Sequence, residues 1–266
     1  MHITSLHNPH VKDAVKLRQR RQREKQGRML IDGARELMRA MAAGVELVEL
    51  FVCGPLCQSP AAQQALKRID ETGVARLTVT PQVFEKLAFG ERAEGVMGVA
   101  TTPRRSLADL QLPGCPLVAV VEGLEKPGNL GAILRTADAA GVSAVIAAGQ
   151  GTDLFNPNVV RASLGTVFSM PVAVASAEDA VRFLREHALR IYTARVDADM
   201  HYTEAGLDLP AALVLGSETA GLSDAWRGED VVAIKLPMLG VADSLNVSAT
   251  AAVLFYEALR QRWKKQ

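Results

Sequence analysis
One layout occurs three times in the second half of this chain: an apolar run, a turn rich in Gly and polar residues, then a helix or helix-like segment. It is found at residues 117–146 (LVAVVEGLEKPGNLGAILRTADAAGVSAVI) and at 212–223 (ALVLGSETAGLS). It recurs from Val231 through residues 237–248 (PMLGVADSLNVS) into an apolar helix. The runs Leu117-Val-Ala-Val-Val and Ala212-Leu-Val-Leu contain no polar side chain. Strands of this kind bury both faces, as in a parallel sheet covered by helices. Further strands are expected at 143–148, 171–174, 190–194 and 231–236, alternating with helices, so this half reads as α/β.

The third turn is a polar junction between a strand and a buried helix. Pro237 ends a strand and Gly240 permits an unusual backbone angle. A helix is expected from about Asn246 to Arg260, since Ala249, Ala252, Val253, Tyr256 and Leu259 fall near helical spacing. Asn246 and Ser248 are good helix-start residues, so capping alone is one reading of them. A site built on the turn is the other. The turn Gly128-Asn-Leu-Gly131 follows a strand and opens a helix, but it is not the G-x-G-x-x-G of a dinucleotide fingerprint, and no acidic residue follows about twenty positions on after a second strand. A nicotinamide cofactor is therefore not expected.

The first hundred residues alternate differently. A basic helix is expected near residues 9–24, a strand at Met29–Ile31, a helix near Ala34–Ala43 and a strand at Leu47–Val52. A helix near Pro60–Glu71, a strand at Arg76–Val79, a short helix opened by Pro81 and a strand at Val96–Ala100 complete a small α/β domain. Residues 101–116, with three prolines and little periodicity, read as a connection. The expected division is a domain over 1–102, a linker over 103–116 and a second domain over 117–266.

Net charge is +1, unevenly spread: residues 1–102 hold 15 Lys and Arg against 11 Asp and Glu. The excess is sharpest at 12–28, where eight basic side chains face only Asp13 and Glu24. Such a run is either a solvated helix face or an electrostatic footprint for phosphates. No apolar stretch approaches the ~20 residues needed to span a membrane, and the N-terminus lacks a signal layout, so the expectation is a cytoplasmic protein with no membrane partner. Cys53 and Cys57 are four apart, with no second pair to complete a zinc site, and no metal is expected.

The three turn motifs together resemble those of the SpoU/TrmH family of RNA ribose 2′-O-methyltransferases, within the SPOUT class. In the first, Pro127, Asn129, Leu130, Gly131, Ala132, Arg135, Thr136 and Ala137 fit the family pattern. In the second, Gly216, Glu218 and Gly221 do, and in the third Pro237, Met238, Ser244, Leu245, Asn246, Val247 and Ser248. The likeness covers roughly residues 117–262. Many relatives place His before the motif-one asparagine, where this chain has Gly128. The first domain is similar to the ribosomal-protein-like RNA-binding module found ahead of the methyltransferase domain in this family.

The resemblance implies an α/β fold: a C-terminal SPOUT domain with a mostly parallel sheet and a deep trefoil knot, preceded by a small RNA-binding domain. It implies S-adenosylmethionine as methyl donor, bound by Gly216, Leu236, Met238, Ser244, Leu245 and Val247. It places catalysis on Arg135, with Asn129, Glu218 and Asn246 as organisers. Arginine stays protonated in proteins, so the role that chemistry favours is holding the target phosphate and stabilising charge on the 2′-oxygen. RNA contacts are expected from Lys16, Arg18, Arg20, Arg21, Arg23, Arg28 and Arg161. The family works as a homodimer. Ribosomal RNA is the favoured substrate, because the extra domain resembles modules of rRNA-acting relatives; tRNA methylation and a non-catalytic RNA-binding role are the alternatives.

Overall fold
The computed structural model describes residues 1–89, 94–149 and 153–263. The chain divides into two compact units, one of Met1–Arg104 with Asp153–Ser169 and one of Arg105–Thr152 with Met170–Gln266. Residues 153–169, inside the range expected for the second domain, thus pack with the first unit.

The first unit is a five-stranded sheet. Its strands are β1 (His2–Ile3), β2 (Arg28–Asp32), β3 (Leu47–Val52), β4 (Ala75–Val79) and β5 (Val96–Thr101), in the order β1-β4-β3-β5-β2. The β1, β4 and β3 strands run parallel, and β5 runs antiparallel to both β3 and β2. Helices α1 (Pro9–Lys16), α2 (Arg20–Gln26), α3 (Ala34–Ala42), α4 (Pro60–Asp70) and α5 (Pro81–Leu87) connect them. Two short helices from the later segment, α7 (Pro157–Ala162) and α8 (Thr166–Ser169), complete the unit. Phe51, Phe84, Leu30 and Met97 are fully buried in one of its clusters, and Cys53 and Cys57 are buried free thiols.

The single basic helix expected at 9–24 is two helices. Leu17 is buried and closes α1, and Gln19 is extended. The break leaves carbonyls without helical partners. Arg23 supplies them, its Nη1 donating to the carbonyl oxygens of Leu17 at 2.7 Å and Arg18 at 2.8 Å.

The second unit is a seven-stranded sheet in which every pairing is parallel. Its strands are β6 (Leu117–Glu122), β7 (Ala144–Ala148), β8 (Val172–Ala175), β9 (Arg190–Ala194), β10 (Met200–His201), β11 (Ala211–Leu215) and β12 (Val231–Lys235), in the order β10-β12-β9-β11-β6-β7-β8. The apolar runs behave as their composition requires: every residue of β6, β7 and β11 is buried. Val118 and Val120, two apart in β6, pack into one cluster with Ala180 and Leu184 of α9 (Ala177–Glu186). Helix α6 (Pro127–Ala139) packs against α10 (Val247–Trp263). Much of the expected linker belongs to this unit: Leu110 is buried in the same cluster as Val118, and the Arg105 carbonyl accepts from the Val174 amide.

Candidate active site
The three polar turns meet because their strands are neighbours or near neighbours at one end of the parallel sheet. β6 ends in Glu122, which is buried. A carboxylate there must be hydrogen-bonded. It accepts from the Ser223 amide at 2.8 Å and the Ser223 hydroxyl at 2.7 Å, tying the loop after β11 to the end of β6. That loop is a tight turn, with Ser217 and Gly221 exchanging two backbone hydrogen bonds of 3.1 Å. Gly216 lies beneath it. A Cβ on Gly216 would sit 2.4 Å from the carbonyl carbon of Gly221 and 2.8 Å from the Leu222 nitrogen, so no larger residue fits.

Glu218 stands at the centre. Its Oε1 accepts from Asn129 Nδ2 at 3.0 Å and from Asn246 Nδ2 at 2.9 Å, and its Oε2 pairs with Lys126 Nζ. Asn246 Nδ2 also lies 3.2 Å from Asn129 Oδ1. The Lys126 hydrogen bond, with help from Asn129 and the Val247 amide, holds the Glu218 carboxyl below its ordinary range despite some desolvation. Asn246 also caps α10, its Oδ1 accepting from the Ser248 amide at 3.0 Å and hydroxyl at 2.6 Å. One residue therefore serves as both the expected helix cap and a member of the polar cluster.

Beside the cluster is a cleft of about 580 Å³ over the carboxyl ends of β9, β11 and β12. All six positions expected to bind the cofactor line it: Gly216, Leu236, Met238, Ser244, Leu245 and Val247. Its size suits a small organic ligand, and carboxyl strand ends are where open α/β sheets bind ligands. Apolar side chains and glycine backbone make most of its wall, which fits a nucleoside.

A model of the SpoU rRNA methylase family matches residues 116–256, over half of the chain, and one of the MRM3-like substrate binding domain matches residues 8–98. The chain belongs to the SpoU family. It is 31% identical over 233 residues to the 23S rRNA (adenosine(1067)-2′-O)-methyltransferase of Streptomyces azureus, covering 86% of this chain and 85% of that protein. A crystal structure of an RNA 2′-O ribose methyltransferase is 42% identical, with a TM-score of 0.88 over 99% of this chain and 100% of that one. The AdoMet-bound rRNA methyltransferase from Sinorhizobium meliloti is 29% identical, with a TM-score of 0.87 over 98% and 97%.

Within this SpoU chain, not every expected residue joins the cluster. Arg135 is exposed on α6 and makes no hydrogen bond or ion pair with the described residues. It lies six residues beyond Asn129, about 9 Å along the helix axis. Four residues at the site have no part in the expectation: Glu122, Lys126, Arg195 and Asp197. Glu122 carried a readable signal, a charge closing an otherwise apolar strand, which demands a partner.

The first unit sorts its basic residues. Arg23 is a correction: it is buried, bonded to the carbonyls described above and paired with Asp153, so it offers nothing to an RNA surface. Arg18 is largely engaged, donating to the carbonyls of Lys86, Leu87 and Ala88 and stacking 4.7 Å from the Phe89 ring centroid. Lys16 pairs with Asp13, Arg20 with Glu24, and Arg28 donates to Gln26. Arg161 lies 3.9 Å from buried Asp32, whose carboxyl desolvation pushes up to about 6. Arg21 is exposed and makes no ion pair with the described residues, and the same holds for Lys12 and Lys25. Among the described residues no helix is long and apolar enough to cross a membrane.

Proposed function
We propose that this protein transfers a methyl group from S-adenosylmethionine to a ribose 2′-hydroxyl of ribosomal RNA. The observation that carries the reading is the meeting of Asn129, Glu218 and Asn246, one from each motif, beside a nucleoside-sized cleft in a SpoU-family chain. The names of the relatives, rRNA 2′-O-methyltransferases, support the substrate class. The bound cofactor supplies an electrophilic methyl group on a sulfonium sulfur. The cleft residues Gly216, Leu236, Met238, Ser244, Leu245 and Val247 hold it through backbone groups and apolar contact.

Glu218 is not the base in this scheme. Its carboxyl is held ionised and both its oxygens are engaged by Lys126, Asn129 and Asn246, so it fixes the loops relative to one another. Arg135 remains cationic, grips the target phosphate and stabilises negative charge developing on the 2′-oxygen; as the new O–CH3 bond would form and the sulfur–methyl bond break, S-adenosylhomocysteine would leave and the hydroxyl proton would pass to solvent water. RNA is drawn to the first unit by Lys12, Arg21 and Lys25, with Lys16, Arg20 and Arg28 as further contacts and Arg161 a contact on α7. The protein works in the cytoplasm as a homodimer. Exposed Tyr256 and Trp263 on α10 are apolar surface that supports pairing. The C-terminal unit carries the trefoil knot of its family.

The test incubates the protein with methyl-labelled S-adenosylmethionine and separate pools of unmethylated rRNA and tRNA. Label in alkali-resistant dinucleotides from rRNA is expected, and Arg135→Ala abolishes it while cofactor affinity stays within about twofold. Label from tRNA alone overturns the substrate class. Loss of cofactor binding in Arg135→Ala overturns its role.

A further inference from the structure
The cleft has a wall outside the three motifs. β9 ends at Ala194, and the next three residues, Arg195, Val196 and Asp197, all line the cavity. Arg195 Nε donates to Asp197 Oδ1 at 3.0 Å, and its Nη2 lies 2.9 Å from Oδ2. Pairing at two points fixes the plane of the carboxylate, and the same contact holds its pKa below the ordinary range. An ionised carboxylate offers about four acceptor directions. The guanidinium takes two, and the Asp197 side chain is still 64% exposed.

The other carboxylates of the cleft are placed differently. Glu218 is occupied by Lys126 and two asparagines. Asp243 sits on the exposed 237–246 loop and, among the described residues, accepts from its neighbour Ser244, at 3.2 Å. Asp197 is thus the carboxylate that is both oriented and able to accept more. It lies just past the carboxyl end of a parallel strand that is flanked by β12 and β11. At such strand ends an acidic side chain is well suited to a nucleoside's ribose, because a vicinal diol presents two donors to a carboxylate's two oxygens.

We propose that Asp197, oriented by Arg195, accepts hydrogen bonds from the ribose hydroxyls of the nucleoside methyl donor. This rests on the methyl-transfer reading above. Asp197 touches the ligand, and Arg195 is a positioning residue.

Calorimetric titration of the full chain with S-adenosylhomocysteine and with its 2′,3′-dideoxy analogue tests it. Wild type should bind the analogue about tenfold more weakly. Asp197→Ala should lose about tenfold for S-adenosylhomocysteine and bind the two ligands alike. Arg195→Met, which keeps the carboxylate but frees it, should lose less and discriminate less. An Asp197→Ala protein that still discriminates fully, or that binds S-adenosylhomocysteine as wild type does, overturns the proposal. If Asp197→Ala does not fold, unchanged discrimination in Arg195→Met overturns the positioning role, and a wild type indifferent to the ribose hydroxyls overturns the whole. A wild type that binds neither ligand sinks the methyl-transfer reading itself, and the Asp197 assignment with it.

Discussion

Gly216→Ala and Gly128→Ala are the same chemical change at two glycines of the second unit, and the structure assigns them opposite signs. At Gly216 the new Cβ would meet the carbonyl carbon and oxygen of Gly221 at 2.4 and 2.5 Å and the Leu222 nitrogen at 2.8 Å. All three are backbone atoms, so no side chain can rotate away. Relief requires the 217–221 turn to open, breaking two hydrogen bonds worth about 1 kcal/mol each. Overpacking in general costs about 1–3 kcal/mol, and backbone neighbours place this site near the upper end, at about 3 kcal/mol. At Gly128, near the start of α6, nothing lies within 4 Å of the added carbon, and lowering the entropy of the unfolded chain should stabilise by about 0.4–1 kcal/mol. Denaturant unfolding followed by tryptophan fluorescence reads this unit alone, since Trp226 and Trp263 both belong to it. Because Gly216 also lines the cleft, its variant should bind S-adenosylhomocysteine at least about tenfold more weakly. A Gly216→Ala protein with wild-type unfolding and wild-type affinity would refute the packing argument.

Other consequences concern the first unit. Burial lifts the Asp32 carboxyl from 3.8 to about 6, a shift worth about 3 kcal/mol. Because the folded pKa is the higher one, that stability is complete below pH 3.8 and is lost as pH rises through about 6. Glu36 is raised by burial too and adds with the same sign. Hydrogen exchange at Leu30 and Met97 should show the unit weakening across this window and Asp32→Asn flattening the trend; a flat wild-type profile would contradict it. Replacing Lys12, Arg21 and Lys25 together by Ala should lower the salt dependence of RNA binding by about 0.7–0.9 per lost phosphate contact, whereas Arg23→Ala should destabilise the unit by about 3 kcal/mol. An unchanged salt slope would show the exposed run to be solvated surface only.

The division between what was legible in the sequence and what was not follows the range of the forces involved. Apolar runs such as 117–121 and 212–215 fixed their own burial, because a segment without polar side chains has few stable places outside a covered sheet. The turns were legible for the same local reason: Pro237, Gly240 and Asn246 mark a strand end, a turn and a helix start through their own backbone chemistry. Even the motif-derived cofactor positions converge on one cleft. Charge partners were not legible. Asn129 and Glu218 are 89 residues apart and meet only because β11 lies beside β6. Glu122 with Ser223, and Arg195 with Asp197 at the cleft wall, acquire meaning from that strand order. Arg23 reads like its basic neighbours, yet it is buried because α1 ends early and leaves carbonyls to satisfy. Hydrophobic periodicity is written over a few residues, so the sequence alone determined the longer strands and the polar turns, while the two-residue edge strands β1 and β10 carry too little pattern to be read. Hydrogen-bonded pairing of charged groups depends on distance in space, so only the tertiary structure decided which of those polar residues form a site and which hold the fold together.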